Sequence, residues 1–238
     1  MANWLTHMIL ADRLLHRDLP LDARGFCIGS IAPDCNVENE DWTEFTPPRQ
    51  VTHWMTGADK SLADHESFYR QHVVGRIYPS LEERSFWLGY YAHLVTDARY
   101  QTFIRDNSRV ASSFTRLKAN PVYAAKVAGP PETFDTLKKA FGKQAVFRDI
   151  AFLEAKYASE HPESCYLAIL RKTYLVPDYP AFLPQGAIVR KIHIMAPEVP
   201  MPSEQPPLLF FTQQEYDVFL EGTACLILQK LKHCFDLS

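Results

Sequence analysis

The chain has 238 residues, 47 % of them hydrophobic and 22 % charged, which suffices for one substantial core and is ordinary for a globular protein. Its net charge is −3 with no basic block, which excludes the electrostatic footprint of a protein that wraps duplex nucleic acid. Five cysteines (Cys27, Cys35, Cys165, Cys225 and Cys234) show no paired spacing and read as reduced thiols rather than a disulfide framework. No apolar run approaches the roughly 18 residues of a membrane span, and the opening MANWLTHMILADR lacks a basic leader region, so the expectation is a soluble, cytoplasmic protein.

The first predicted element is an amphipathic helix over residues 3–19, opened by Asn3 as N-cap and carrying Leu5, Met8, Ile9, Asp12 and Leu15 near helical spacing. His7 sits in its first turn; read alone, a histidine there is more often a satisfied core or rim residue than a ligand. Residues 24–31, RGFCIGSI, form a short apolar segment with two glycines that delivers Asp34, fixed by Pro33, toward the interior. Read alone, that Asp is a turn residue. Residues 37–50 are acidic, aromatic and aperiodic, hence a loop, and His53 follows its Pro47-Pro48 turn. A helix is expected from about Asp59 or Ser61 to Val74, with His65 and His72 as face residues.

Residues 80–107 predict one long helix. Ser80 caps it, Glu83 stands at the capping-box position, and Asn107 and Ser108 are stop residues. Phe86, Tyr90, His93, Asp97, Tyr100 and Ile104 share one face, apolar except for a histidine and a carboxylate one turn apart. Burying both requires partners, which are either each other or a divalent cation. With nine His and fourteen Asp in the chain, the His-x3-Asp spacing alone is a weak motif.

Downstream, residues 113–117 read as a short turn and 131–159 as helix broken at Gly142. Residues 162–173 read as an amphipathic helix. Residues 176–207 are dense in proline, with an extended piece expected at 187–195. The last helix spans 216–235, with Thr212 and Glu215 as a capping box. There is no repeat, Gly-rich phosphate loop, Gly-x-Ser-x-Gly or Cys-x2-Cys. The fold class is therefore all-α: one helical domain over 1–238, with a metal-site half at about 1–107 and C-terminal helices at about 108–238.

His7, Asp34, His53, His93 and Asp97 follow one another across the first hundred residues, each near an apolar element. Mixed His/Asp ligation suits zinc or another first-row divalent metal better than calcium. The segments WLTHMILA, GSIAPD, the isolated His53 and GYYAHLVTDA, in this order and spacing, resemble the zinc-dependent phospholipase C family. That family shares its helical fold with single-strand-specific zinc nucleases. The resemblance implies one zinc on Asp34, His53, His93 and Asp97. It further implies that Asp97 bridges to a second zinc, which His7 helps to hold. In secreted members a terminal Trp amine completes that second site; Trp4 is not terminal, so its nitrogen cannot serve. The histidines and glutamate expected after the helical motif for a third zinc have no match in position, and His161 and His193 stand as unmatched candidates only. One metal is expected, with a weaker second.

The implied activity is metal-dependent hydrolysis of a phosphoester, with Asp34 guiding a proton from the attacking water. The substrate would be a small phosphorylated compound or a phospholipid headgroup, and Lys60 and Arg99 are cations that could meet phosphate. Two rivals stand. A His-Asp-type phosphohydrolase would carry an adjacent His-Asp doublet, whereas Asp64-His65 has the reverse order. A non-catalytic, metal-stabilised interaction protein would enclose its metal fully.

Overall fold

The structure, a computed structural model, describes residues 2–57, 63–196, 198–200 and 204–236. The described residues form an all-α architecture whose sheet content is one two-stranded hairpin. The first half contains α1 (Trp4–Leu15), α2 (Ala23–Gly29), a 3₁₀ turn at Ala32–Asp34, the hairpin strands β1 (Val37–Glu38) and β2 (Phe45–Thr46), α3 (Arg49–Thr52), α4 (His65–His72) and α5 (Leu81–Arg105). The second half contains α6 (Asn107–Ala119), α7 (Ala124–Val127), α8 (Phe134–Phe141), α9 (Lys143–Glu160), α10 (Ala187–Met195) and α11 (Gln213–Asp236). No helix among the described residues is long and apolar enough to cross a membrane.

The long helix α5 is the axis. Ser80 caps it by accepting the Glu83 amide through Oγ at 3.1 Å, as its sequence predicts. Its predicted apolar face is buried along its whole length, from Phe86 to Ile104. Helix α2 packs on it backbone to backbone. A methyl group on Gly29 would overlap the Phe86 carbonyl, and one on Gly89 would overlap the Phe26 carbonyl. Only glycine permits this approach, and it lays the segment after α2 directly over His93. A contiguous cluster of buried apolar side chains then runs from Ala2 through α5 to Leu231.

Several expected elements take another form. The segment 187–195 is helix α10, not an extended piece. Gly186 turns into it with φ 71°, and Ala187, Ile188, Lys191 and Ile192 are buried at helical spacing. Burial of this helical stripe overrides the imperfect apolar/polar alternation that suggested extension. The turn expected at 113–117 belongs to α6, where Val110, Ser113, Phe114 and Leu117 make one buried stripe and Asp106 accepts the Arg109 amide at 2.9 Å. Residues 162–173 hold a π-helical turn (Cys165–Ile169) and a 3₁₀ turn (Leu170–Lys172). Buried Asp12 of α1 accepts the Cys165 amide at 2.7 Å and fixes this irregular path. Helix α1 ends at Leu15, before the expected 19, where the His16 ring bonds the Asp12 carbonyl. Asn3 flanks α1 without capping it, because its amide donates to Glu154 of α9. Helix α4 begins at His65, capped by Asp64; its expected start at Asp59 or Ser61 lies outside the described residues. The break at Gly142 and the Thr212–Glu215 capping box are present as expected, the latter with both reciprocal bonds.

Candidate metal centre

Four separate elements bring the five sequence-flagged residues together. His7 comes from the first turn of α1, Asp34 from the 3₁₀ turn after α2, His53 from the end of α3, and His93 and Asp97 from adjacent turns of α5. His7, His53, His93 and Asp97 are each no more than 2 % exposed, and Asp34 is partly open.

Their geometry is compact. Asp97 Oδ1 lies 3.7 Å from His7 Nε2, while Oδ2 lies 3.7 Å from His53 Nε2 and 3.9 Å from His93 Nε2. Asp34 Oδ1 is 3.2 Å from His53 Nε2. The His7 and His93 rings stack at 3.9 Å between centroids, and His53 meets His93 edge-on at 5.3 Å. Two groups offer ligand atoms within 4.8 Å of one another: His7, His93 and Asp97, and Asp34, His53 and His93. His93 thus takes part in both.

The surrounding chain orients each group. The Ser30 carbonyl lies 2.8 Å from His93 Nδ1, so that nitrogen carries a proton and Nε2 faces the cluster. Thr52 Oγ1 contacts His53 Nδ1 at 2.9 Å, and Tyr90 donates to the Thr52 carbonyl at 2.6 Å. The Trp4 indole donates to Asp34 Oδ2 at 3.2 Å, and the Ala2 amide donates to Asp97 Oδ1 at 3.1 Å. As supports, the Ser30 carbonyl, Thr52 and the Ala2 amide did not stand out in the sequence. Trp4 alone carried a signal, through its place three residues before His7.

The donor set suits a divalent metal. His53 Nε2 is fully buried beside two carboxylates yet makes no hydrogen bond. A buried imidazole nitrogen facing carboxylate oxygens at 3.2–3.7 Å without hydrogen-bond alignment is costly unless a cation lies between them. Three imidazoles and two carboxylates fit zinc or another first-row ion.

The other histidines fall elsewhere. His72 stacks on Trp87, His65 lies beside Tyr91, His161 pairs with Glu163, and His193 lies beside Tyr174. Arg99 lines a separate groove with Thr102 and Phe103, and Lys60 lies outside the described residues. All five cysteines are free thiols, and burial pushes the Cys35 thiol up.

A cleft of about 860 Å³ opens on Asp34. Trp4 and Asn36 flank that residue, and Trp42 and Phe45 of the hairpin line the cleft with Phe147 of α9. Glu154 also lines it, buried, with its oxygens accepting Thr6 Oγ1 at 2.5 Å and Asn3 Nδ2 at 2.8 Å. Burial pushes its carboxyl up to about 6.

No curated protein and no solved structure matches the chain. Residues 5–99 do match the family model described as zinc dependent phospholipase C. That stretch runs from α1 to α5 and contains all five clustered side chains, so it is the zinc dependent phospholipase C family whose pattern residues 5–99 of this chain carry.

Proposed function

We propose that the chain is a metal-dependent hydrolase of a phosphoester, with zinc as the first candidate metal. The observation that carries this reading is the division of Asp97 between His7 on one oxygen and His53 and His93 on the other, beside a cleft that opens on Asp34. Asp34, His53, His93 and Asp97 would hold one metal, and His7 with Asp97 a second and weaker one. Zinc bound there supplies Lewis-acid polarisation of a phosphoryl oxygen and acidifies water toward a pKa of ~7. Asp34 is the proton acceptor for the attacking water: it is the cluster's carboxylate on the cleft, and the Trp4 indole fixes its second oxygen. His93, held by the Ser30 carbonyl, keeps its orientation through the cycle. The substrate class is a small phosphorylated compound or the headgroup end of a phospholipid.

The test is turnover of p-nitrophenyl phosphate and bis-p-nitrophenyl phosphate with added zinc or manganese, and of short-chain phospholipid. Wild type should turn over at least one, and Asp34→Asn should lower turnover by about 100-fold or more, in keeping with loss of a general base, while its melting curve stays cooperative. Absence of turnover on all three, with a metal wholly enclosed by protein ligands, would favour a non-catalytic role.

A further inference from the structure

The ionisable residues on the cleft are unevenly signed. Its acids are Asp34, at the metal cluster, and Glu154, buried; its cations are Arg49, Lys143, Arg148 and Lys191. Lys191 is buried and held by Glu38. Arg148 reaches Asp149 only at 3.6 Å, and the other oxygen of that carboxylate is occupied by the Phe210 and Phe211 amides. Among the described residues, Arg49 and Lys143 form no ion pair with a carboxylate; the Arg49 guanidinium lies 4.0 Å over the Phe45 ring. Lys143 and Arg148 come from α9, and Arg49 from α3 beside the hairpin, so the positive groups stand on different elements of one concavity. Arg49 and Lys143, without an ion pair among the described residues, and Arg148, whose one pair is long, leave the cleft with an excess of positive charge, and such an excess in a concavity focuses a positive potential.

A scissile phosphate at Asp34 would already be neutralised by the metal. The additional cations come from α9 and from α3 beside the hairpin, and the other acid of the cleft, Glu154, is buried and takes hydrogen bonds from Thr6 and Asn3. A cationic headgroup would have to compete for the aromatic faces with cations already on them, Arg49 over Phe45 at 4.0 Å and Lys191 over Trp42 at 4.9 Å. Trp42, Phe45 and Phe147 instead offer flat apolar surface beside guanidinium and ammonium groups.

We infer that the cleft takes an ester bearing a second negative group, carried away from the phosphate at Asp34 and met by Lys143 and Arg148, with Arg49 contributing from the hairpin side. This deepens the hydrolase reading and rests on it only for the placement of the first phosphate. The second group pairs with cations through charge-assisted hydrogen bonds, bidentate where arginine provides them. The same chemistry occurs in a free bisphosphate and in a phosphorylated lipid headgroup.

The experiment is calorimetric titration of the zinc-supplemented full chain in two arms. The soluble arm compares propanediol bisphosphate with propyl phosphate; the lipid arm compares a short-chain phosphatidylinositol phosphate with short-chain phosphatidylcholine below its micelle concentration. The doubly anionic ligand should bind about tenfold tighter or more in at least one arm. The Lys143→Ala/Arg148→Ala double variant should erase that difference while its metal content and melting temperature stay unchanged. A preference confined to the lipid arm identifies the source as lipid, and one in both arms assigns it to the anion alone. Equal affinities within both arms, or a preference that survives the double variant, overturns the inference. Turnover is not read in this experiment: preferential binding without hydrolysis anywhere would remove the hydrolase reading and leave this one standing.

Discussion

The Ser30 carbonyl sits 2.8 Å from Nδ1 of His93, joining the residue that ends α2 to the middle of α5. That contact exists because α2 and α5 touch at their backbones, Gly29 against the Phe86 carbonyl and Gly89 against the Phe26 carbonyl. The orientation of a candidate metal ligand therefore depends on two residues with no side chain.

Gly89→Ala should test this dependence. Its methyl group would have to displace backbone rather than a flexible side chain, so the expected destabilisation is about 3 kcal/mol or more, at the upper end of overpacking costs. Chemical denaturation measures it, and metal content of the folded fraction should fall as well. A variant with wild-type stability and full metal content would show that the helices can separate at no cost.

The two halves of the cluster should differ in metal affinity. His93 takes part in both ligand groups and Asp97 faces both sides, so His93→Ala or Asp97→Asn should lose most of the bound metal by elemental analysis. His7 has cluster contacts to Asp97 and to the His93 ring, so His7→Ala should lose at most one metal and keep the other. A His7→Ala protein devoid of metal would reverse this order.

Trp4→Phe removes the indole donor to Asp34 Oδ2 but keeps most of the buried ring. A lost hydrogen bond to a charged acceptor is worth about 1.5–3 kcal/mol, so turnover should drop about tenfold or more with metal content retained. Unchanged turnover alongside a normal Asp34→Asn defect would show that Asp34 needs no orienting partner.

Glu154 should leave a mark on stability against pH. Burial raises its folded carboxyl to about 6, above the ordinary 4.5, so folding favours the protonated form. The stability it contributes is fully present below about 4.5 and is lost as pH rises through about 6, a change on the order of 2 kcal/mol. Melts of the metal-free wild type and Glu154→Gln across this window should diverge, with the glutamine variant flatter. Its amide can still accept from Asn3 while donating to Thr6, whose hydroxyl also contacts Tyr216 at 2.8 Å. Parallel curves would assign the pH dependence to other groups.

The five clustered residues were legible in the sequence through the order and spacing of four segments that resemble one family, since each residue read alone was a weak signal. Helical periodicity puts His93 and Asp97 one turn apart on a buried face, and Pro33 and the Pro47-Pro48 turn mark where Asp34 and His53 enter. Capping-box residues gave the starts of α5 and α11, and Gly142 gave the break between α8 and α9. Periodicity misread 187–195, whose imperfect alternation suggested extension but whose Ala187, Ile188, Lys191 and Ile192 form a buried helical stripe once Gly186 turns the chain. The supports from Ser30, Thr52, Trp4 and the Ala2 amide, and the cation-lined cleft between the hairpin and α9, join residues far apart in the chain. Sequence spacing within one helix fixes which side chains share a face. Which carbonyl meets a histidine depends on how closely two helices pack, and for His93 two glycines that permit backbone contact between α2 and α5 decided it.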